Sequence, residues 1–229
     1  MSTSRKYSKN PITEALIDIQ VDPILGIPTS QLKDLPPSIS KEYPEKKTLH
    51  MFEATLKPKA DEIPPRPVVA GTIEGFQFWS SDKTEVMQYR LKGFSCSRLR
   101  PYNEWESHFQ KMFERWNLYN KTYRPTNIKR IAVRFINLFE IPFKEFNLKE
   151  YFNSPPDVPN GIPDKLENFL LRLAIPKDKE TKALITFTTR RSTAPNVSEI
   201  LLDIDVFKNI LWPANYEGLG DEFQILHEF

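Results

Sequence analysis

Asp203 and Asp205 in the run LLDIDVF, with Lys208 close behind, are the residue types of a metal-assisted nuclease. Clustered carboxylates there hold Mg²⁺ while a lysine steadies developing charge. Two carboxylates at alternate positions of a strand also share one face, and can instead pair with a basic strand beside them. The cations to consider are Lys129, Arg130 and Arg134 in NIKRIAVRFINLF at 127–139, and the pair Arg190-Arg191. With Phe76, Phe78 and Trp79, they could hold single-stranded nucleic acid by phosphate contact and stacking. Arg130, Arg134, Arg190 and Arg191 are therefore candidate anion- or partner-binding residues.

An internal role fits the spacing better. Alternation puts Arg130 and Arg134 on one strand face, roughly 13 Å apart, with the small Ala132 between them. Glu14 and Asp18 in ALIDIQV and its lead-in share a face at the same spacing. If these two strands lie side by side, two carboxylates oppose two guanidiniums. Each exposed pair would contribute at most about 1 kcal/mol. Glu14, Asp18, Arg130 and Arg134 are thus expected to form ion pairs joining two halves of the fold.

Other chemistries find little support. His50, His108 and His227 fall on three elements without ligand spacing, and no metal site is expected. The single cysteine, Cys96, alternates with Phe94 and reads as a buried structural thiol; alone it can form neither an internal disulfide nor a thiolate zinc site. There is no GxSxG elbow, no GxGxxG and no GxxxxGK[ST], so no catalytic residue and no cofactor is assigned. With 7 Gly against 20 Pro, turns must be built on proline, and phosphate-cradling loops lack their raw material. The net charge of +2 gives no long-range field for nucleic acid. The start MSTSRKYSKN has no apolar segment, and no window approaches a membrane span; the expectation is a soluble cytoplasmic protein.

The elements that must position these residues follow from periodicity. Strands are expected over 15–21, 48–57, 71–80 and 84–98, with a turn at Ser81-Asp82-Lys83 and a broken helix pair at 29–43 around Pro36-Pro37. A helix with Asn103 as N-cap carries Trp105, Phe109, Met112, Phe113, Trp116, Tyr119 and Tyr123 as one aromatic stripe. Then come a strand over 127–140, a helical turn at 147–152, a proline-rich loop from Asn153 to Asp164, strands over 166–175, 182–192 and 197–207, and a helix from Gly218. The same order of elements occurs twice, at offsets of roughly 112–118 residues, though residue identities do not repeat. The fold class expected is α+β: an antiparallel sheet with helices on one side, built as two pseudo-repeated β-α-β-β-β-α halves, residues 1–125 and 126–229.

Three stretches carry a family resemblance: Asn10 to Ile19 (NPITEALIDI), Phe94 to Tyr102 (FSCSRLRPY) followed by Trp105, and Arg130 to Asn137 (RIAVRFIN). Together they resemble a sporadically distributed bacterial family without an assigned activity, over nearly the whole length. The resemblance implies no catalytic residue. It implies accessory, defence-associated genes, and members that often continue past Leu226–Phe229. The function expected is a non-enzymatic interaction or regulatory module of a larger bacterial assembly, its partner another protein encoded nearby. The alternatives are a nucleic-acid-binding or nuclease-like factor, and a small-ligand sensor with a cleft between the halves.

Overall fold

A computed structural model describes residues 10–56, 67–142, 148–153, 168–190, 192 and 194–229. Its strands are β1 (Ile12–Val21), β2 (Glu45–Leu56), β3 (Pro67–Trp79), β4 (Glu85–Arg90), β5 (Gly93–Leu99), β6 (Asn127–Pro142), β7 (Leu170–Pro176), β8 (Thr181–Arg190) and β9 (Val197–Pro213). All nine form one antiparallel sheet in the order β2-β3-β4-β5-β1-β6-β9-β8-β7. Helices α1 (Pro37–Ser40) and α3 (Leu148–Tyr151) are single turns. Among the described residues the longer α-helices are α2 (Trp105–Tyr123) and α4 (Leu219–His227). No helix among the described residues is long and apolar enough to cross a membrane.

This architecture corrects the expected fold class. The protein is predominantly β, and its helices do not form a layer along one side of the sheet. α2 packs on β5, and α4 packs on β6 and β9, as local caps over the middle strands. The two strands expected to lie side by side do so: β1 pairs directly with β6 from Ile12–Asn137 to Val21–Ile128, and the sheet runs on across residue 125. The stretch 84–98, expected as one strand, is a hairpin of β4 and β5 turned at Leu91-Lys92. Among the described residues five strands therefore precede residue 125 and four follow it, so the repeat of two like halves fails at that hairpin. Its turn has no Asn-Gly or Asp-Gly signal, and continuous alternation hid it.

The core follows from strand alternation. Ala15, Ile17, Ile19 and Val21 of β1 are buried on one face, with Phe94 and Cys96 of β5 and Ile131 and Val133 of β6. α2 lays Trp105, Phe109, Met112, Trp116 and Tyr119 on this face. Tyr119 meets Tyr89 edge-on at 5.2 Å, and its hydroxyl donates to the Arg90 carbonyl at 2.6 Å. Glu104, not Asn103, is the N-cap, and Arg124 in the left-handed region ends the helix. α4 closes the cluster through Phe223, 5.7 Å from Phe109, and through His227, stacked on Trp105 at 4.4 Å. A second, smaller cluster of Ile141, Leu148, Phe187 and Ile200 lies toward β8. The proline-rich stretch lies outside the described residues from 154 to 164, as do residues 61–66.

Gly93 begins β5 where that strand meets β1. A Cβ there would run into the Ile19 carbonyl oxygen, which is backbone and cannot swing away. Gly93→Ala should therefore lower the unfolding free energy by about 2 kcal/mol. Urea titration should read this as a lower midpoint with an unchanged slope.

Candidate interaction surface

The face of the sheet opposite α2 carries a row of charges over its central strands. Asp18 of β1 stands opposite Ala132 of β6, the gap between Arg130 and Arg134 that the sequence suggested. Its carboxylate accepts from Arg90 Nη2 of β4 at 2.5 Å and from Arg130 Nη1 at 3.3 Å. Arg130 also donates through Nη2 to Asp205 of β9 at 2.8 Å, and its guanidinium lies 4.5 Å from the Phe207 ring centre. One register step along, Arg134 grips Asp203 in a bidentate pair at 2.7 and 2.6 Å. The result is an alternating chain, Arg90–Asp18–Arg130–Asp205, flanked by Arg134–Asp203.

Most of these groups are largely buried among their neighbours, so each cation needs a partner. Burial pushes the Asp205 carboxyl above its ordinary value, against the pull of Arg130 and Arg134. The Asp203 hydrogen bonds raise Arg134 further. Of the expected inter-half pairs, Asp18–Arg130 is in contact. Arg134 turns away from β1 to Asp203, and Glu14 makes no ion pair among the described residues, acting on Arg134 only as a nearby charge. Lys129 binds Asp22 at 2.6 Å, and Arg190 lies 3.4 Å from Glu199 with its side chain 63% exposed. Arg191 lies outside the described residues. Sequence reasoning did not find Arg90, because reading 84–98 as one strand left its neighbours undefined. Asp203 and Asp205, weighed as metal ligands, are engaged by guanidiniums, Asp203 through both oxygens and Asp205 through Oδ2.

A second polar group lies under α2. Glu85 accepts from Tyr43 Oη at 2.6 Å, Lys111 Nζ at 2.9 Å and Arg98 Nη1 at 3.2 Å. Burial pushes its carboxyl up, but the Tyr43 and Lys111 hydrogen bonds outweigh this and hold it below the ordinary value. Beside it a cavity of about 10 Å³ is lined by Cys96, Arg98 and His108, among others. That is the size of one water, not of a substrate. Burial pushes the Cys96 thiol far above its ordinary range, so it is not a thiolate nucleophile. A shallow depression of about 330 Å³ at the end of α2 is lined by Asn120, Lys121, Arg124 and Ala214, among others.

The outer limits of the sheet differ. β2 begins Glu45-Lys46-Lys47, with Lys47 paired to Glu45 at 3.0 Å. β7 reads LLRLAIP, and Leu170, Leu173 and Ile175 are 72%, 42% and 41% exposed. No strand among the described residues pairs with the outer side of β7. No family model matches the chain, and no curated protein matches it.

The ladder makes a graded prediction. Asp18→Ala removes the carboxylate of Arg90 and one of the two carboxylates of Arg130, and should cost about 2 kcal/mol, whereas Glu14→Ala should stay within about 0.5 kcal/mol. Equal losses in chemical denaturation would contradict the geometry.

The histidines set a pH dependence. Burial holds the imidazoles of His108 and His227 below 6.5. The unfolded chain is then the better proton acceptor, so their contribution is complete above about pH 7 and is lost as pH falls through 6.5 toward the folded values. Unfolding free energy measured from about pH 7.5 down to 5.5 should fall less steeply in the double variant His108→Gln/His227→Gln than in the wild type. Asp205, whose raised pKa acts in the opposite sense, is common to both proteins and cancels in the comparison.

Proposed function

We propose that the protein is a non-enzymatic interaction module of a bacterial cytoplasmic assembly, and that it docks a protein through the outer edge of β7. The observation that carries this is the exposure of Leu170, Leu173 and Ile175 on an edge strand whose outer side has no partner among the described residues. Natural sheets blunt their free edges with charge, as β2 does with Glu45, Lys46 and Lys47. An apolar edge left open is a template for strand addition, in which main-chain hydrogen bonds supply affinity and side-chain pockets supply selectivity. The two central cations that a nucleic acid would use are already committed: Arg130 to Asp18 and Asp205, Arg134 to Asp203. A phosphate ligand would have to break those pairs and leave carboxylates behind. The family resemblance supports an accessory protein acting beside products of neighbouring genes.

Co-expression with those products, followed by size-exclusion chromatography, tests the reading. A partner should co-elute with the wild type and be lost with Leu173→Lys, a substitution at an exposed site that spares the core. A shift of a single-stranded oligonucleotide at about 50 mM salt, abolished in Arg130→Ala, would overturn it in favour of nucleic-acid binding.

A further inference from the structure

We infer that β7 pairs with the β7 of a second copy of this chain, antiparallel about a twofold axis at Leu173, joining two nine-stranded sheets into one. The inference rests on the interaction reading above and names a second copy as the occupant of that edge when no other protein is bound.

The backbone sets which groups are free. Lys177 N–H donates to the Thr181 carbonyl at 3.0 Å, and Thr189 N–H donates to the Phe169 carbonyl at 3.3 Å. With the register Leu170–Thr188 to Pro176–Lys182, the odd-numbered residues of β7 turn their backbone groups to β8. The N–H groups of Leu170, Arg172 and Ala174 therefore point outward, with their carbonyls and that of Pro176. An incoming antiparallel strand must match these even positions with even positions of its own.

Three twofold registers satisfy that parity and keep most of the strand in contact. An axis at Arg172 sets two guanidiniums directly opposite each other, which is unfavourable, and overlaps only 170–174. An axis at Ala174 sets Arg172 opposite a proline that has no N–H to give, and overlaps only 172–176. An axis at Leu173 overlaps the whole of β7. Arg172 then lies opposite the partner's Ala174, where each exchanges both backbone hydrogen bonds, and Leu170 N–H reaches the partner's Pro176 carbonyl. Like charges are separated, and the prolines stop the ladder from sliding further.

The side chains agree with this register. Leu171, Leu173 and Ile175 share one face, and Leu171 packs against the Phe187–Ile200 cluster. Pairing places Leu173 against the partner's Leu173 and Leu171 against the partner's Ile175, so the exposed apolar strip of each copy is covered by that of the other. Strand-edge pairing of this length is at the small end of specific interfaces, which suits a reversible dimer.

The experiment uses the full chain. Sedimentation from about 5 to 200 μM should show the mass rising toward twice 26.8 kDa. Leu173→Lys should remain monomeric throughout. Ala174→Glu places a carboxylate opposite the partner's Arg172 and should tighten the dimer about fivefold, while Ala174→Lys should weaken it about fivefold. In a non-hydrogen-bonded pair the two Leu173 Cα atoms would lie about 4.5 Å apart, within disulfide range. Leu173→Cys should therefore cross-link with diamide, which takes up the two thiol hydrogens. Leu171→Cys should not, and the buried Cys96 of the wild type should stay silent. A wild type that is monomeric at every concentration, together with a Leu173→Cys that does not cross-link, overturns self-pairing. Effects of the same sign from the two Ala174 variants overturn the register, and with it the inference. If self-pairing fails while Leu173→Lys still loses a co-expressed partner, the interaction reading stands with a different occupant; if neither association occurs, both fall.

Discussion

The pairing of β1 with β6 is the constraint on which the rest of the structure depends. These strands lie at the middle of the sheet, each with a neighbour on both sides, and every other strand is reached by the chain travelling outward and returning. After β1 the chain runs to the far edge and comes back through β3, β4 and β5 to pair with β1 again, matching Ile17 with Cys96. After β6 it does the same through β7, β8 and β9, matching Val133 with Val206. The central contacts thus join residues distant in sequence, and loop closure must be met before they contribute. Locally stable pieces shorten that search: hairpins such as β4–β5, and the aromatic helix α2 over β5.

The central strands bury one face in the apolar core, and on the other the half-buried charges are answered within the sheet. Asp18 and Arg130 meet across the seam, and Arg90 and Asp205 continue the alternation outward on either side. Pairs of this kind fix register more than they add stability. Slipping β6 by one residue against β9 would swing Arg134 from Asp203 into the face that buries Val133 and Val206. The bidentate fork makes that error expensive, because planar guanidinium and carboxylate fit in one alignment. The cations of NIKRIAVRFINLF are therefore best understood as register devices of an interior strand.

How much of this was legible in the sequence differs by element. The strand at 127–140, the aromatic helix and the closing helix were readable because each has a strong period and clear boundaries such as Tyr123-Arg124-Pro125. The face shared by Arg130 and Arg134 was readable for the same reason. Their partners were only half readable: alternation groups Asp203 with Asp205, but cannot say which strand lies beside them. Glu14 had the right spacing and the wrong neighbour. The fold class was misjudged because one hairpin, turned at Leu91-Lys92 without a turn signature, passed for a single strand. Helix content was given too much weight for the same reason that α2 was easy to find: its stripe is conspicuous, yet it covers only the middle of a wide sheet.

The two edges of such a sheet pose the same physical problem and receive different answers. Both expose backbone donors and acceptors, and β2 meets this with Glu45, Lys46 and Lys47 at its start. β7 meets it with leucines, an alanine, an isoleucine and one arginine, closed by Pro176. If both edges were apolar, copies could add end to end without limit, because a heterologous contact does not close. A charged edge opposite an apolar one removes that route. Self-pairing of β7 about a twofold axis uses up the apolar edge of both copies at once, leaving two charged edges outward. Growth then stops at two, and the single Arg172 on each strand, set across from alanine and not from its own kind, selects the one register in which the whole strand is covered.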